Sequence, residues 1–180
     1  KEIMGTVVLV MGESGSGKST SLRNFTADDV SVLNVAGKPL PFKNAMKTVN
    51  VSKYAQEKNY NRYDVIKSML LKTTKKAIVI DDSQYLLAFE SFDRAKETGF
   101  GKFTDIAVNI ERLVRFCADS LPEDKIVYFL HHTETSDTGK TKAKTIGKML
   151  DSQLTLEGLF SIVLLAQTDG KRHYFVTQSD

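Results

Sequence analysis

Cysteine and long apolar runs are scarce in this sequence, and each absence excludes a class of protein. A single cysteine, Cys117, permits neither an intramolecular disulfide nor a metal site built from cysteines. Apolar runs such as residues 126–130 are far too short to cross a bilayer. No charged and then apolar leader opens the chain, so we expect a cytoplasmic protein with no membrane partner.

The size and composition of the chain indicate one globular domain. The chain has 180 residues, of which 41% are hydrophobic and 26% are charged. These values are close to the averages of soluble domains. We therefore expect a single domain over residues 1–180, which buries enough surface to fold without disulfides or metals.

Charge is unevenly distributed along the chain. Residues 38–76 contain ten basic residues against Glu57 and Asp64, a net charge of +8. Residues 77–124 contain five basic and ten acidic residues, a net charge of −5. Such a split is typical of a surface that binds a polyanion, but lysines that only solvate a helix and two loops give the same pattern.

Short apolar runs alternate with stretches of helical periodicity, which predicts an α/β fold with a mainly parallel sheet flanked by helices. The predicted strands are residues 6–11, 30–35, 48–51, 77–81 and 126–130. The predicted helices are residues 17–25, 62–72, 84–96, 103–118 and 149–160. Residues 133–147 are polar and predict a long loop. Asp169-Gly170, between apolar residues 161–166 and 173–177, predicts a C-terminal β-hairpin.

Residues 12–20 carry the phosphate-loop pattern G-x-x-x-x-G-K-[ST] directly after an apolar strand. The residues are Gly12, Glu13, Ser14, Gly15, Ser16, Gly17, Lys18, Ser19 and Thr20. Glycines let successive backbone N–H groups converge on a phosphate, and the helix predicted after the loop adds positive partial charge. Lys18 is expected to point outward to the β- and γ-phosphates, and the Ser19 hydroxyl is expected to ligate Mg²⁺. The pattern predicts a site for a nucleoside triphosphate.

Two adjacent carboxylates, Asp81 and Asp82, end the apolar run at residues 77–81. A carboxylate delivered to the edge of a parallel sheet is the expected partner of a phosphate loop, so Asp81 is predicted to hold Mg²⁺. Asp82 is a candidate for the acid that orients the attacking water. A helix cap or a surface acid is the alternative interpretation of Asp82.

Two histidines follow the apolar run at residues 126–130. We predict that His131 faces the γ-phosphate, as a sensor of that group, and that His132 points the other way, because side chains alternate along a strand. A surface histidine is the alternative for His131. Cys117 lies on an apolar stripe at helical spacing and is predicted to be a core residue rather than a nucleophile.

The motifs together resemble phage-encoded RecA-like ATP-binding proteins, some of which act as single-strand annealing recombinases. The resemblance covers nearly the whole chain and rests on the phosphate loop and on residues 37–42, 80–85, 129–132 and 144–150. It implies a RecA-like core, ATP and Mg²⁺ as cofactors, single-stranded DNA as partner, and assembly into rings or filaments. It also implies a role in phage recombination, in the cytoplasm of a bacterial host.

Further site residues are carried over by the same resemblance. By position, residues 133–147 correspond to the mobile loop that meets DNA in RecA-like proteins. Lys140, Lys142 and Lys144 in this loop are candidates for contact with phosphates, and a solvated flexible loop is the alternative interpretation. Lys171 and Arg172 correspond to a basic finger offered to the neighbouring subunit. One departure is that RecA itself places a glutamate just after the second strand, whereas Ala36 and Gly37 follow Val35 here.

Two other functions fit the same motifs. A small-molecule kinase acting on nucleotides fits the length, although an arginine-rich lid is missing. A nucleotide-dependent loader or switch with little hydrolysis fits the missing glutamate.

Overall fold

Among the residues that the structure describes, eight strands form one sheet, and the two strands that carry the nucleotide motifs lie near its centre. The computed structural model describes residues 4–44 and 46–177. The strands are β1 (Thr6–Gly12), β2 (Val30–Asn34), β3 (Thr48–Asn50), β4 (Ala77–Asp81), β5 (Ile126–Thr135), β6 (Thr141–Ala143), β7 (Ile162–Thr168) and β8 (His173–Val176). Their order is β3-β2-β4-β5-β1-β7-β8, with β6 paired to β5 outside this path. Neighbours on the path are parallel except β7 and β8, which confirms the mainly parallel sheet with a C-terminal hairpin.

Five α-helices accompany the sheet in the described part of the chain. They are α1 (Val51–Lys58), α2 (Arg62–Lys72), α3 (Gln84–Asp93), α4 (Gly101–Asp119) and α5 (Lys148–Asp151). Helix α2 has the predicted bounds, α3 ends three residues earlier than predicted, and α4 is slightly longer. Within the described residues, none of the helices has the length and apolar character needed to span a membrane.

The two faces of the sheet are covered differently. Helices α1 to α4 pack on one face, where they bury the apolar side chains of β4 and β5 that alternate toward them. The opposite face is covered by a short 3₁₀ helix, Thr20–Asn24, and by Leu40, Phe42 and Met46 from the segment after β2. Cys117 is buried in the helix-covered core, and burial raises the pKa of its thiol to about 12. The prediction of a core cysteine is confirmed.

The segment after the phosphate loop is not the helix predicted for residues 17–25. Only the 3₁₀ helix Thr20–Asn24 forms, and the chain turns extended at Phe25. Two local features explain this: Gly17 has a φ of 98°, and the Ser21 hydroxyl donates to the Lys18 carbonyl at 2.6 Å. Such side-chain bonds compete with the helical ladder. A helix macrodipole therefore adds little to this phosphate loop.

The predicted helix at residues 149–160 is also wrong, because the chain there forms only α5 and a second 3₁₀ helix, Leu156–Leu159. The long loop predicted at residues 133–147 is in large part a β-hairpin. Strand β5 continues to Thr135 and pairs with β6, so that Thr133 lies opposite Ala143. We call residues 133–144 the β5–β6 hairpin.

Candidate nucleotide-binding site

Polar side chains from three neighbouring strands meet at one edge of the sheet. Asn34 ends β2, Asp81 ends β4, and His132 follows Leu130 on β5. Each lies two residues after an apolar residue of the thinly covered face and so shares that face, which means that all three point away from the helices. Because parallel strands deliver their carboxyl ends to the same edge, these side chains face the phosphate loop that follows β1.

The side chains line a cleft of about 380 Å³ beside the phosphate loop. The cleft is bounded by Ser14, Gly15, Gly17, Lys18, Ser19 and Thr20 from the loop, by Asp81, Asp82 and His132 from the sheet edge, and by Lys38, Pro39 and Pro41 from the loop after β2. The structure thus brings the predicted phosphate loop and the predicted carboxylates together at one concave site.

The phosphate loop presents free backbone donors. Among the described residues, the N–H groups of Gly15, Gly17, Lys18 and Ser19 have no hydrogen-bond acceptor. Gly15 and Gly17 adopt φ values of 81° and 98°, a left-handed conformation that glycine adopts without strain. Free N–H groups in such a turn make a concavity suited to anions.

The sequence predicts that Lys18 points outward, but in the structure its side chain folds back onto the loop. Its Nζ donates to the carbonyls of Gly12 at 2.7 Å and Glu13 at 2.8 Å, and the side chain is only 6% exposed. Burial lowers the pKa of Lys18 to about 8, opposed by the negative charges of Asp81, Asp82 and Glu13. The ammonium group therefore lies within the loop, close to the place where phosphates would be held.

Ser19 and Asp81 are joined by a direct hydrogen bond. The Ser19 hydroxyl donates to Asp81 Oδ1 at 3.0 Å, and Asn34 Nδ2 donates to Asp81 Oδ2 at 3.1 Å. Burial, and then the negative charge of Asp82, raise the pKa of Asp81. A partly buried hydroxyl and a carboxylate in contact are oxygen ligands of the kind that Mg²⁺ prefers, so this pair fits the predicted metal site.

Asp82 lies in the cleft and does not cap α3. Its backbone has a φ of 58°, which is uncommon for a residue other than glycine, and its side chain contacts three neighbours. Lys38 Nζ lies 3.6 Å from one carboxylate oxygen, His132 Nε2 lies 3.7 Å from the other, and Gln84 Nε2 donates at 3.4 Å. Asp82 is thus neither a cap of α3 nor a surface acid, and its role toward an attacking water stays a prediction.

The predicted orientations of His131 and His132 are wrong, and they are reversed. His131 shares the strand face of Phe129, toward the helices, and is 1% exposed. Its Nε2 donates to the Lys144 carbonyl at 2.7 Å, and its Nδ1 pairs with the Ser83 hydroxyl at 2.9 Å. Burial lowers the pKa of His131 to about 4, so the ring is neutral at pH 7. His132 occupies the cleft instead, and burial followed by the charge of Lys18 lowers its pKa.

Sequence reasoning missed three further residues at the cleft. Asn34 orders the loop after β2 by accepting hydrogen bonds from the N–H groups of Gly37 and Lys38. Lys38 reaches over the cleft to Asp82. His173 contacts the loop from β8, where Nδ1 donates to the Ser16 carbonyl at 3.0 Å. The alternation of β2 was a sequence signal for Asn34, but nothing in the sequence places His173 beside a loop 157 residues away.

The lysines predicted to contact DNA lie on the β5–β6 hairpin in unequal environments. Lys140 and Lys144 have exposed side chains. Lys142 pairs with Asp151 at 2.6 Å and with Glu134 at 3.1 Å, so its charge is already neutralised. The predicted finger residues, Lys171 and Arg172, lie in the turn between β7 and β8, where Arg172 pairs with Asp169.

Comparison of the sequence with family models gives no match, and comparison with curated proteins also gives none. Comparison of the structure does give matches. The chain is similar to a prototypical ATPase from the type III secretion system of pathogenic bacteria, with 13% identity and a TM-score of 0.58 over 92% of this chain. It spans about half of that protein, 52% of its length.

A second similar structure is the flagellar accessory protein FlaH from Methanocaldococcus jannaschii. The identity is 12% and the TM-score 0.51, over 98% of this chain and 80% of FlaH. At such low identity the likeness concerns the fold alone. The chain has a RecA-like P-loop NTPase fold.

Proposed function

We propose that this chain binds ATP together with Mg²⁺ at the cleft beside the phosphate loop and hydrolyses it. The observation that carries the proposal is the 3.0 Å hydrogen bond between Ser19 and Asp81, which are 62 positions apart. It joins the phosphate loop to the carboxylate strand in the arrangement that a metal-bound triphosphate requires. The RecA-like fold, to which the secretion ATPase also belongs, supports the same proposal.

Different residues of the cleft contact the phosphates and the metal ion in this proposal. The free N–H groups of the loop and the Lys18 ammonium supply positive charge to phosphate oxygens. Ser19 and Asp81 supply oxygen ligands for Mg²⁺, which neutralises phosphate charge when it is bound. Asn34 holds Asp81 in place from the second strand.

Asp82 is our candidate for the group that orients the attacking water. It is a carboxylate at the cleft, next to the Mg²⁺-binding pair, and it is held by Lys38, His132 and Gln84. A group in this role must lie within hydrogen-bond reach of the water that attacks. His131, whose ring nitrogens are both engaged elsewhere, has no such reach.

A nucleotide-dependent switch with little hydrolysis is the second candidate, and two observations favour it. The cation of Lys38 lies 3.6 Å from Asp82, and the position after β2 where RecA has a glutamate carries no acid. If Lys38 stays on Asp82 in the nucleotide complex, the carboxylate is not free to accept a proton. Phosphate release measured with and without single-stranded DNA separates the two candidates.

We further propose single-stranded DNA as the partner and an oligomer as the working form. The support is a direct link between the β5–β6 hairpin and the nucleotide site, because His131 joins the Lys144 carbonyl to Ser83, next to Asp82. Lys140 and Lys144 are exposed on this hairpin. Lys171 and Arg172, at the exposed β7–β8 turn, are the residues we propose for contact with a second subunit's phosphates.

The nucleotide proposal is tested with Lys18→Ala. One charge-assisted contact contributes about 1.5–3 kcal/mol, so the affinity for ATP·Mg²⁺ should fall by about 10- to 150-fold in calorimetry. Lys96→Ala, at an exposed position outside the cleft, is the matched control and should bind like wild type. Circular dichroism should show both variants folded. Wild-type affinity in a folded Lys18→Ala protein would show that the cleft is not a triphosphate site.

A further inference from the structure

A second groove lies beside the phosphate loop, between the 3₁₀ helix Thr20–Asn24 and strand β8. Its volume is about 200 Å³. Gly17, Thr20 and His173 line both this groove and the phosphate cleft, so the two spaces meet at the loop. A ligand anchored by its phosphates in the cleft reaches the groove by passing these three residues.

The wall that β8 contributes to the groove is aromatic. His173 and Phe175 are two positions apart on the strand and therefore lie on the same face. Phe175 is 43% exposed, although a large apolar side chain at this position would gain free energy by being covered. The ring of Phe175 thus offers a flat surface for stacking next to a phosphate site.

The His173 ring is held firmly against the loop. Its Nδ1 donates to the Ser16 carbonyl, which fixes the tautomer and leaves Nε2 as the ring nitrogen available to a ligand. A side chain at Gly17 would lie 2.8 Å from His173 Nδ1, so the ring approaches the loop as closely as glycine allows. The opposite wall carries Arg23, which can donate to the polar edge of a base, and Asn24, which can both donate to it and accept from it.

We propose that this groove binds the nucleobase of a purine nucleoside triphosphate, with Phe175 and His173 as the stacking surface and Asn24 at the polar edge of the base. The inference rests on the proposed function, because the base reaches the groove only if the phosphates are held by the loop. A purine is the better fit than a pyrimidine because two fused rings give a larger stacking area on an aromatic wall.

The test compares a ligand that has a base with one that has none. Binding of ATP and of inorganic tripolyphosphate, each with Mg²⁺, is measured by calorimetry on wild type, Phe175→Ala and Ile162→Ala. Ile162 is the matched control, since it is also 43% exposed but lies on β7 outside the groove. We expect Phe175→Ala to lower the affinity for ATP on the order of 10-fold and to leave tripolyphosphate binding unchanged. Ile162→Ala should change neither.

A second variant covers the case in which Phe175→Ala disturbs the strand. Phe175→Leu keeps an apolar side chain but removes the ring, so it should also weaken ATP binding selectively and reduce the preference for ATP over UTP. Wild-type ATP affinity in both folded variants, or equal losses for ATP and tripolyphosphate, would overturn the base site. If wild type binds neither ligand, the proposed nucleotide function fails instead, and the two failures are thereby distinguished.

Discussion

At the scale of single residues, the unusual backbone of Asp82 decides which substitutions are informative. A φ of 58° is adopted by Asn and Asp with little strain, but it penalises alanine and still more a β-branched residue. Asp82→Asn therefore removes the carboxylate charge while the backbone stays as it is. Asp81, by contrast, has an extended backbone in β4, and its role depends on the two hydrogen bonds it accepts from side chains.

Substitution of Asp82 and of Asp81 should have different effects on ATP binding and on hydrolysis. Asp82→Asn should bind ATP·Mg²⁺ like wild type and hydrolyse it about 100-fold more slowly, since proton transfer by a placed group contributes at least that much. Asp81→Asn should lose Mg²⁺-dependent binding, about 10-fold or more. Asp119→Asn, exposed at the end of α4, is the control. Calorimetry with Mg²⁺ or a chelator, and steady-state phosphate release, provide the measurements. An unchanged rate in Asp82→Asn would support the switch over the ATPase.

At the scale of elements, the β5–β6 hairpin changes how its three lysines are expected to act on DNA. Lys140 and Lys144 are exposed, whereas Lys142 lies between Glu134 and Asp151. A lysine already paired with two carboxylates releases few counterions from a phosphate backbone. Only the two exposed lysines should therefore contribute to salt-dependent binding.

The prediction for the hairpin concerns the slope of affinity against salt. Replacing Lys140 and Lys144 by alanine should flatten the log–log slope for single-stranded DNA by about 1.4, at about 0.7 for each neutralised phosphate. Lys142→Ala, on the same hairpin, should leave the slope unchanged. Fluorescence anisotropy at several salt concentrations, with and without ATP, gives the slopes. A double variant with wild-type affinity and slope would exclude the hairpin as a DNA contact and direct attention to residues 38–76.

At the scale of the whole molecule, a buried neutral histidine links stability to pH. The pKa of His131 is about 4 in the folded chain, against 6.5 for an unperturbed histidine. As the pH falls below 6.5 the unfolded chain takes up a proton that the folded chain cannot accept. The contribution of neutral His131 to the free energy of unfolding should therefore be fully present above pH 6.5 and be lost as the pH falls toward 4.

Chemical denaturation at a series of pH values tests this link. Relative to His131→Gln, wild type should lose about 1.4 kcal/mol of unfolding free energy per pH unit inside this window. His132→Gln, which is partly exposed in the cleft, should alter the pH dependence less. Parallel pH profiles for wild type and His131→Gln would mean that the histidine is not held neutral in the folded protein.

Apolar runs bounded by turn residues predicted β1, β2, β4 and the first half of β5, whereas the short polar strand β6 was missed inside the predicted loop. Strand β4 and helix α2 have the predicted bounds, and the phosphate loop and Asp81 lie together at the sheet edge. Helix α1 was missed because its buried stripe, Val51 and Ala55, spans a single turn, and Val51 was assigned to the strand predicted at residues 48–51. It depends instead on a cap from Asn50 and a left-handed stop at Asn59.

Two further differences concern where the histidines of the site lie. His131 and His132 were assigned by proximity to the expected phosphate, whereas the alternation fixed by Phe129 and Leu130 decides the matter. His173 lies beside the loop only because β7 pairs with β1, a contact between distant segments that no local pattern contains. Tertiary pairing, not local propensity, determines that part of the site.

The single buried cysteine makes the molecule convenient for site-specific labelling. Cys117 is 0% exposed, and its raised pKa keeps the thiol protonated, so maleimide dyes should leave it unmodified in the folded chain. A cysteine introduced at Thr138, in the exposed turn of the β5–β6 hairpin, would then carry the only dye. His131 forms hydrogen bonds to both Lys144 of this hairpin and Ser83, the residue after Asp82. The fluorescence of such a dye would therefore report whether nucleotide binding in the cleft changes the environment of the hairpin.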